Sequence, residues 1–261
     1  MTAISDSVMY RRLKFFIDKG WLSPRDRTLI VCGGQFDQEV MEALGFADCV
    51  LSSLQADAAL KHFVVQDAHH LGFADSSFDI VMVHAGLHHC SQPHLALCEM
   101  HRVARKCVAV FEAHDSWTIR LFARLGLALD YEICAVVDNQ ELVGGVNNSP
   151  IPNYVYRWTR REFEKTIRSL DPARIPSLYF ATEFFFSASL ADSYLKEHPL
   201  GKLLGKKLMS ALARIAVWIL NTLFRGQGNS FSALIRKDQA CLQPWVEQTD
   251  RGITFRHGLG Y

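Results

Sequence analysis

The chain has 261 residues, and 49% of them are apolar. This is enough for one large domain with its own core, and it excludes an intrinsically disordered protein. The 28 basic and 27 acidic residues leave a formal net charge of +1, so no overall field favours nucleic acid or an anionic membrane as a partner. Nine of the eleven histidines lie within residues 62–114, a crowding that first suggests a metal site.

Cysteine usage points to a reducing compartment. The seven cysteines are an odd number and form no C-x-x-C pair. Cys32 follows an apolar run, where cysteine usually behaves as a small buried hydrophobe. The first residues contain no continuous apolar segment of the kind that a signal peptide needs. We therefore expect a cytoplasmic protein.

The first half of the chain has the pattern of an α/β domain. After an amphipathic helix over 8–19, short apolar runs alternate with helical patterns, which is typical of parallel strands joined by crossover helices. Strands are expected at 28–32, 49–51, 63–65, 80–84 and 108–113. Helices are expected at 38–44, 57–62 and 93–103.

The alternation ends after residue 113. A helical pattern covers 116–129, and an irregular stretch follows over 131–158; such long stretches inside a compact domain are usually functional. Thr159 and Glu162 have the spacing of a capping box, which predicts another helix. Two further strands are expected at 177–187 and 230–236.

Residues 200–225 begin basic and then become apolar. The segment is too interrupted to span a bilayer, which takes about 20 mostly apolar residues. We expect a helix that packs on the core or at a dimer interface. Peripheral membrane contact through 203–224 is the less favoured alternative.

Ligands of open parallel sheets bind at the carboxyl ends of the strands. Gly33 and Gly34 follow the first strand, and they can take positive φ and let the backbone approach a ligand. This turn has neither the G-x-G-x-x-G pattern nor the Lys-Ser/Thr of a P-loop. A nicotinamide-dependent oxidoreductase is therefore disfavoured, and a purely structural turn is as good an interpretation as a binding turn.

The next strand ends carry a more specific set of motifs. In order, they are Asp67-Ala68, Leu71-Gly72-Phe73, Ser77-Phe78-Asp79 and Leu87-His88-His89. With these motifs, residues 28–113 resemble the class I S-adenosylmethionine-dependent methyltransferases, in the branch with a Leu-His-His turn after the fourth strand. The similarity is thinner to residue 236 and absent beyond it.

The resemblance implies a Rossmann-like fold: a mostly parallel seven-stranded sheet with helices on both faces and an inserted substrate-binding segment. It also implies a domain organisation, with an N-terminal helical segment at 1–27, a methyltransferase domain at 28–236 and a C-terminal tail at 237–261. Inserted substrate segments would lie at about 116–158 and 190–229.

S-adenosylmethionine is the cofactor that the resemblance implies, and its binding residues can be carried over by position. Cys32, Gly33 and Gly34 would contact the methionine part of the cofactor, and Ser52 or Ser53 would contact the ribose. Asp67 and Ala68 would contact the adenine, and His84 and Ala85 would lie beside the sulfonium. The family's acidic residue before the glycines is missing, and serine stands where a carboxylate usually holds the ribose. A hydroxyl binds more weakly than a carboxylate, and Asp37 or Glu39 could compensate.

Methyl transfer needs a general base only when the nucleophile must lose a proton. Histidine suits this role because its ordinary pKa is about 6.5, and the candidates are His88, His89 and His114. Zinc bound by His84, His88 and Cys90 is a competing interpretation. It fails because His84 is expected at a strand end rather than in a helix, and we expect no metal.

Residues 144–158 are the expected substrate contact, although a structural Ω-loop is an equal alternative. Their hydrogen-bonding side chains are Asn147, Asn148, Tyr154, Tyr156 and Arg157. The sequence predicts a methyltransferase that acts on a small or medium polar acceptor, with oxygen favoured, in glycan or secondary-metabolite biosynthesis. The alternative is a degenerate, non-catalytic partner or scaffold protein.

Overall fold

The computed structural model describes residues 4–185, 211, 214–250 and 252–256. Its main sheet has seven strands in the order β3-β2-β1-β4-β5-β7-β6. The first five of these in space run parallel, and β7 is antiparallel to both of its neighbours. The predicted Rossmann-like α/β fold is therefore confirmed.

Seven chain segments form this sheet, and two more form a separate hairpin. The sheet strands are β1 Thr28–Val31, β2 Cys49–Ser53, β3 Phe63–Val65, β4 Phe78–His84, β5 Ala104–Ala113, β6 Arg174–Glu183 and β7 Ser230–Leu242. The hairpin pairs β8 Val246–Thr249 with β9 Gly252–Phe255. Since β7 continues to Leu242, the domain boundary predicted at residue 236 falls inside a strand, and part of the predicted tail is regular structure.

Two apolar cores cover the two faces of the sheet. On one face, α1 Val8–Asp18 and α2 Gln35–Ala43 pack on alternate side chains of the central strands. On the other face, α3 Pro93–Val103 and α6 Arg160–Leu170 cover the intervening side chains. Both faces of β1 and of most of β4 are buried. Their sequences are therefore nearly continuous apolar runs, as expected for parallel strands that are covered on both faces.

Side-chain caps set the starts of α1 and α6. Ser7 accepts a hydrogen bond from the amide of Tyr10 at 3.1 Å, and Thr159 accepts one from the amide of Glu162 at 3.1 Å. The predicted capping box at 159–162 is therefore half formed. The Glu162 carboxylate bonds the Tyr156 hydroxyl and lies 3.2 Å from His94 Nε2 instead.

Three predicted segments differ from the structure. Residues 57–62 form turns, because the Asp57 carboxylate bonds the amide of Ala59 and favours a turn over a helix. The helix predicted at 116–129 is α4 Trp117–Arg124, and Gly126 ends it with a φ of +71°. The stretch predicted as irregular contains α5 Ile133–Asp138 and a short 3-10 turn, Val146–Asn148.

The segment 200–225 is described only in part, since residues 200–210, 212 and 213 lie outside the described ranges. Residues 214–223 are helical, and Ile215, Trp218 and Leu223 are exposed on them. Within the described residues, no helix has the length and apolar character needed to cross a bilayer.

Candidate functional site

One cleft lies where the sheet changes its winding direction. The chain winds outwards from β1 through β2 to β3 and then returns to place β4 on the other side of β1. Ligands of such sheets bind outside the carboxyl ends of the strands at this switch point. A cleft of about 330 Å³ opens there, and residues 135–148 form its opposite wall.

The backbone at the two central strand ends is left-handed. Cys32, directly after β1, has a φ of 55°, and Ala85, directly after β4, has a φ of 49°. Such values are uncommon for residues with a side chain and often occur at ligand sites. Both residues line the cleft. The expectation that Gly33 and Gly34 take positive φ is wrong, because Cys32 makes this turn.

Glycine is needed nearby for space. A Cβ at Gly33 would lie 2.9 Å from Ile30 Cγ2, and one at Gly86 would lie 2.6 Å from Cys32 Cβ. Gly34 begins α2, where its amide donates to the Asp37 carboxylate at 2.8 Å. Gly86 therefore lets the turns after β1 and β4 pack against each other, and Gly33 lets the first of these turns pack against Ile30 and Leu51.

The two neighbouring serines at the end of β2 have different surroundings. Ser52 is buried, and its hydroxyl donates to the carbonyl of Ile30 at 3.2 Å. Ser53 lines the cleft. The alternation of side chains along a strand explains the difference, and of the two serines it leaves Ser53 to meet a ligand.

Asp67 and Ala68 line the cleft beyond β3. Asp67 Oδ1 accepts hydrogen bonds from the amide of His69 at 2.9 Å and from its ring Nδ1 at 2.7 Å. These bonds lower the pKa of Asp67. The amide of Gln92 donates to the other ring nitrogen of His69 at 3.2 Å. His69 therefore orients Asp67. Both of its bonds go to Oδ1, so that Oδ2 of the same carboxylate can accept a hydrogen bond from a ligand.

His84, the last residue of β4, is turned towards α2. Its Nδ1 donates to the buried Asp37 carboxylate at 3.0 Å, and its ring lies against Phe36. Asp37, expected as a possible ligand contact, is occupied by this bond and by the amide of Gly34. His84 is not among the residues that line the cleft, whereas its neighbour Ala85 is.

His88 lies between two carboxylates. Its Nδ1 donates to Glu112 Oε2 at 2.6 Å, and its Nε2 lies 3.3 Å from Glu132 Oε2. Burial alone would lower the pKa of His88, but the two carboxylates raise it to about 10. In turn, His88 lowers the pKa of both Glu112 and Glu132. Both ring nitrogens of His88 are thus occupied, and its side chain is only 8% exposed.

His89 is the one predicted base that lines the cleft. Its Nε2 lies 3.4 Å from the same oxygen of Glu132, and its ring is 4.6 Å from that of His88. Burial and the neighbouring charge of His88 lower the pKa of His89. His88, His89 and Glu132 therefore form one cluster at the edge of the cleft.

His114 lies apart from the cleft lining. Its Nδ1 donates to the carbonyl of Gly228 at 2.8 Å, and its ring stacks on Phe231 at 6.0 Å. Burial lowers its pKa. The structure therefore places His114 in the packing between β5 and β7.

The five predicted substrate residues divide into two groups. Asn147 and Asn148 line the cleft. Asn147 also bonds the amide and hydroxyl of Ser91, at 2.9 and 3.0 Å. The other three contact residues that do not line the cleft: Tyr154 packs edge-on against Tyr131, Arg157 pairs with Asp130, and Tyr156 bonds Glu162 of α6.

Sequence reasoning missed the carboxylates of the cluster and the amide beside them. Glu112 is the last residue but one of β5, and this position near a strand end was the signal that could have found it. Glu132 precedes α5, and the buried amide of Asn153 holds it in place by donating to its Oε2 at 3.4 Å and to the carbonyl of His88 at 3.2 Å. Only the path of the insert brings Glu132 and Asn153 here, and no sequence pattern marks that path.

The cleft suits the cofactor that the motifs imply. Asp67, Ser53 and the buried Ala68 all line it, and the Asp67 carboxylate offers an acceptor oxygen. Cys32 and Ala85 line the same cleft, and the parts of the cofactor that these residues contact stay a prediction of the resemblance.

Part of the chain matches a known protein family. Residues 34–110 match the family model of a methyltransferase domain, and no curated protein sequence matches the chain.

Solved structures share the fold at low identity. An S-adenosylmethionine-dependent methyltransferase from Archaeoglobus fulgidus is 11% identical with a TM-score of 0.49, over 88% of this chain and 93% of that one. Another from Methanosarcina mazei is 14% identical with a TM-score of 0.48, over 85% and 96%. The [4+2]-cyclase SpnF is 15% identical with a TM-score of 0.47, over 87% and 81%. Residues 34–110 thus match a methyltransferase domain, and the motifs and the sheet order resemble those of the class I type, which implies S-adenosylmethionine as the cofactor.

Proposed function

We propose that the protein transfers the methyl group of S-adenosylmethionine to an oxygen of a small or medium polar metabolite, in glycan or secondary-metabolite biosynthesis. One observation carries the proposal. A single cleft joins the strand ends of the cofactor side to a polar wall that contains His89, Asn139 and Asn147. Cofactor and acceptor would thus meet at the carboxyl ends of β1 and β4.

On the cofactor side, the chain contributes shape and hydrogen bonds. S-adenosylmethionine, when bound, supplies a methyl group on a sulfonium centre, which is already an excellent leaving group. Asp67 would accept the adenine amine, and His69 keeps its carboxylate oriented. Ser53 would bond the ribose. Cys32 and Ala85 bring backbone close to the methionine part, so that positioning supplies most of the catalysis.

On the acceptor side, the cluster of His88, His89 and Glu132 supports oxygen as the target. A hydroxyl must lose its proton during methylation, and this cluster provides proton-accepting groups at the edge of the cleft. Of the three predicted bases, His89 is the one that lines the cleft. Asn147 and Asn148 would contact the rest of a polar acceptor.

A methyl-transfer assay tests the proposal. The full chain is incubated with cofactor labelled on its methyl group and with fractionated metabolite extracts. We expect label to appear in a polar small-molecule fraction, and the substitution His89→Gln to reduce this transfer at least about 100-fold. If the chain binds the demethylated cofactor but labels no fraction, the non-catalytic scaffold hypothesis replaces the proposal.

A further inference from the structure

We propose that His88, His89 and Glu132 bind one divalent transition-metal ion of the zinc class. The ligand atoms of these three residues lie within 4.8 Å of one another. The set differs from the His84, His88 and Cys90 considered for zinc from the sequence, and it departs from the expectation that no metal binds. It includes a residue of the insert that sequence motifs did not identify.

The distances match those of ligands around one ion. Glu132 Oε2 lies 3.3 Å from His88 Nε2 and 3.4 Å from His89 Nε2. Nitrogen and oxygen ligands about 2.0–2.1 Å from a tetrahedral zinc ion are about 3.3–3.4 Å from each other. These separations are long for charge-assisted hydrogen bonds, which are about 2.7–2.9 Å.

Glu112 supplies the outer support that metal-binding histidines usually have. Such histidines donate their second ring N–H to a carboxylate, which fixes the ring and its tautomer. Here His88 Nδ1 donates to Glu112 Oε2 at 2.6 Å. Glu112 is itself held by the amides of Gly86 and Leu87 at 2.8 and 2.7 Å. The Nε2 atom of His88 is thereby directed at Glu132.

Charge and access also favour a cation. Glu112 and Glu132 are two carboxylates beside two imidazoles. A bound metal ion would replace the proton that these carboxylates hold on His88, and its positive charge would offset theirs. His89 and Glu132 have side chains that are 29% and 32% exposed, which leaves room for a fourth ligand from the cleft. Three protein ligands with one open position are typical of catalytic rather than structural zinc sites.

Asn153 gives a further sign that the cluster is built for an additional group. Its Nδ2 donates towards Glu132, but its buried Oδ1 has no partner within the described chain. A buried acceptor without a hydrogen-bond partner lowers the stability of the fold. Water on a bound ion would be a suitable donor for it. When the ion is bound, the Nε2 lone pair of His89 is used for coordination, so an acceptor hydroxyl in the open position would lose its proton because the ion lowers its pKa, and not to His89. That step rests on the proposed function, whereas ion binding does not.

Cobalt(II) is the probe of choice, because it takes zinc sites and reports its ligands by visible absorption. After chelator treatment, the full chain should bind one Co²⁺ with the spectrum of a tetrahedral nitrogen and oxygen site and without a thiolate charge-transfer band. Zn²⁺ should displace it. His89→Gln and Glu132→Gln should each weaken Co²⁺ binding at least about 100-fold, and Glu112→Gln should weaken it about 10- to 100-fold.

His94→Gln is the matched control, because His94 also pairs with a glutamate, at 3.2 Å from Glu162. It should bind Co²⁺ like the unmodified chain. Thermal unfolding checks that each variant is folded, and binding of S-adenosylhomocysteine is measured separately. If the unmodified chain binds no Co²⁺, or if His89→Gln and Glu132→Gln bind it unchanged, the metal proposal is overturned even where the cofactor product still binds.

Discussion

His88 and Glu112 form a buried pair that fixes the turn after β4. The ring Nδ1 donates to Glu112 Oε2 at 2.6 Å, while Oε1 of the same carboxylate accepts the amides of Gly86 and Leu87. One side chain from the end of β5 thus holds both the backbone beneath the cleft and the histidine at its edge.

Loss of this pair should destabilise the fold. Removing one partner of a buried charged pair lowers the free energy of unfolding by about 3–5 kcal/mol. Glu112→Gln should therefore lower the free energy of unfolding by about 3 kcal/mol in chemical denaturation. His94→Gln, at the more exposed pair with Glu162, should cost less than about 1 kcal/mol. Equal losses in the two variants would show that burial of the Glu112 pair has no special role.

The two serines at the end of β2 should behave differently. Ser53→Ala removes a hydroxyl from the cleft and should weaken binding of S-adenosylhomocysteine roughly 2- to 10-fold. Ser52→Ala should leave this affinity unchanged, because its hydroxyl bonds Ile30 inside the sheet. Calorimetric titration of both variants measures the difference. Weaker binding by Ser52→Ala alone would reverse the assignment.

Gly34, after β1, and Gly86, after β4, should differ in how well they tolerate a side chain. A side chain at Gly86 would meet Cys32 Cβ at 2.6 Å, whereas one at Gly34 would meet nothing within 4 Å. Gly86→Ser should lower stability by about 1–3 kcal/mol. Gly34→Ser should be neutral or slightly stabilising, since serine is a favoured residue at a helix start. Thermal unfolding compares the two, and tolerance of serine at Gly86 would contradict the packing described.

His101 should make stability depend on pH. It is buried on α3, and Lys237 of β7, Asp171 after α6 and Arg174 of β6 face it; burial, followed by Lys237, lowers its pKa to about 4. Between pH 6.5 and 4 the unfolded chain therefore binds more protons at this residue than the folded chain does. Its contribution to stability is complete above pH 6.5 and is lost as the pH falls.

The loss at pH 5 should be roughly 2 kcal/mol. It is measured as the difference in the pH dependence of unfolding between the unmodified chain and His101→Gln, which isolates this residue from the other histidines. Parallel pH profiles for the two proteins would show that His101 takes up its proton equally in the folded and unfolded states.

The sequence predicted the architecture because the parallel strands and α3 are marked by local apolar patterns. It placed Asp67 and Ala68 at the cleft because they come soon after β3, and their contact with adenine stays a prediction. It could not distinguish Ser52 from Ser53, since the strand register decides which serine faces the ligand. Glu132 was missed for a different reason: its position depends on tertiary contacts of the insert, such as the bond from Asn153.

The crowding of histidines in the sequence first suggested a metal site. In the structure these histidines have separate roles. His69 orients Asp67, His84 pairs with Asp37, and His114 packs between strands. Two histidines, His88 and His89, meet a carboxylate from the insert. Crowding in sequence thus reflects the number of strand ends at one edge, rather than one shared ligand set.

Calorimetric titration with S-adenosylhomocysteine tests the central claim, cofactor binding in the cleft at the ends of β1 and β4, most directly. We predict that the full chain binds one equivalent. Asp67→Ala should weaken this binding about 10- to 100-fold, while His114→Ala should leave it unchanged. Absence of binding at millimolar concentration, or an equal loss of affinity in the two variants, would contradict the account.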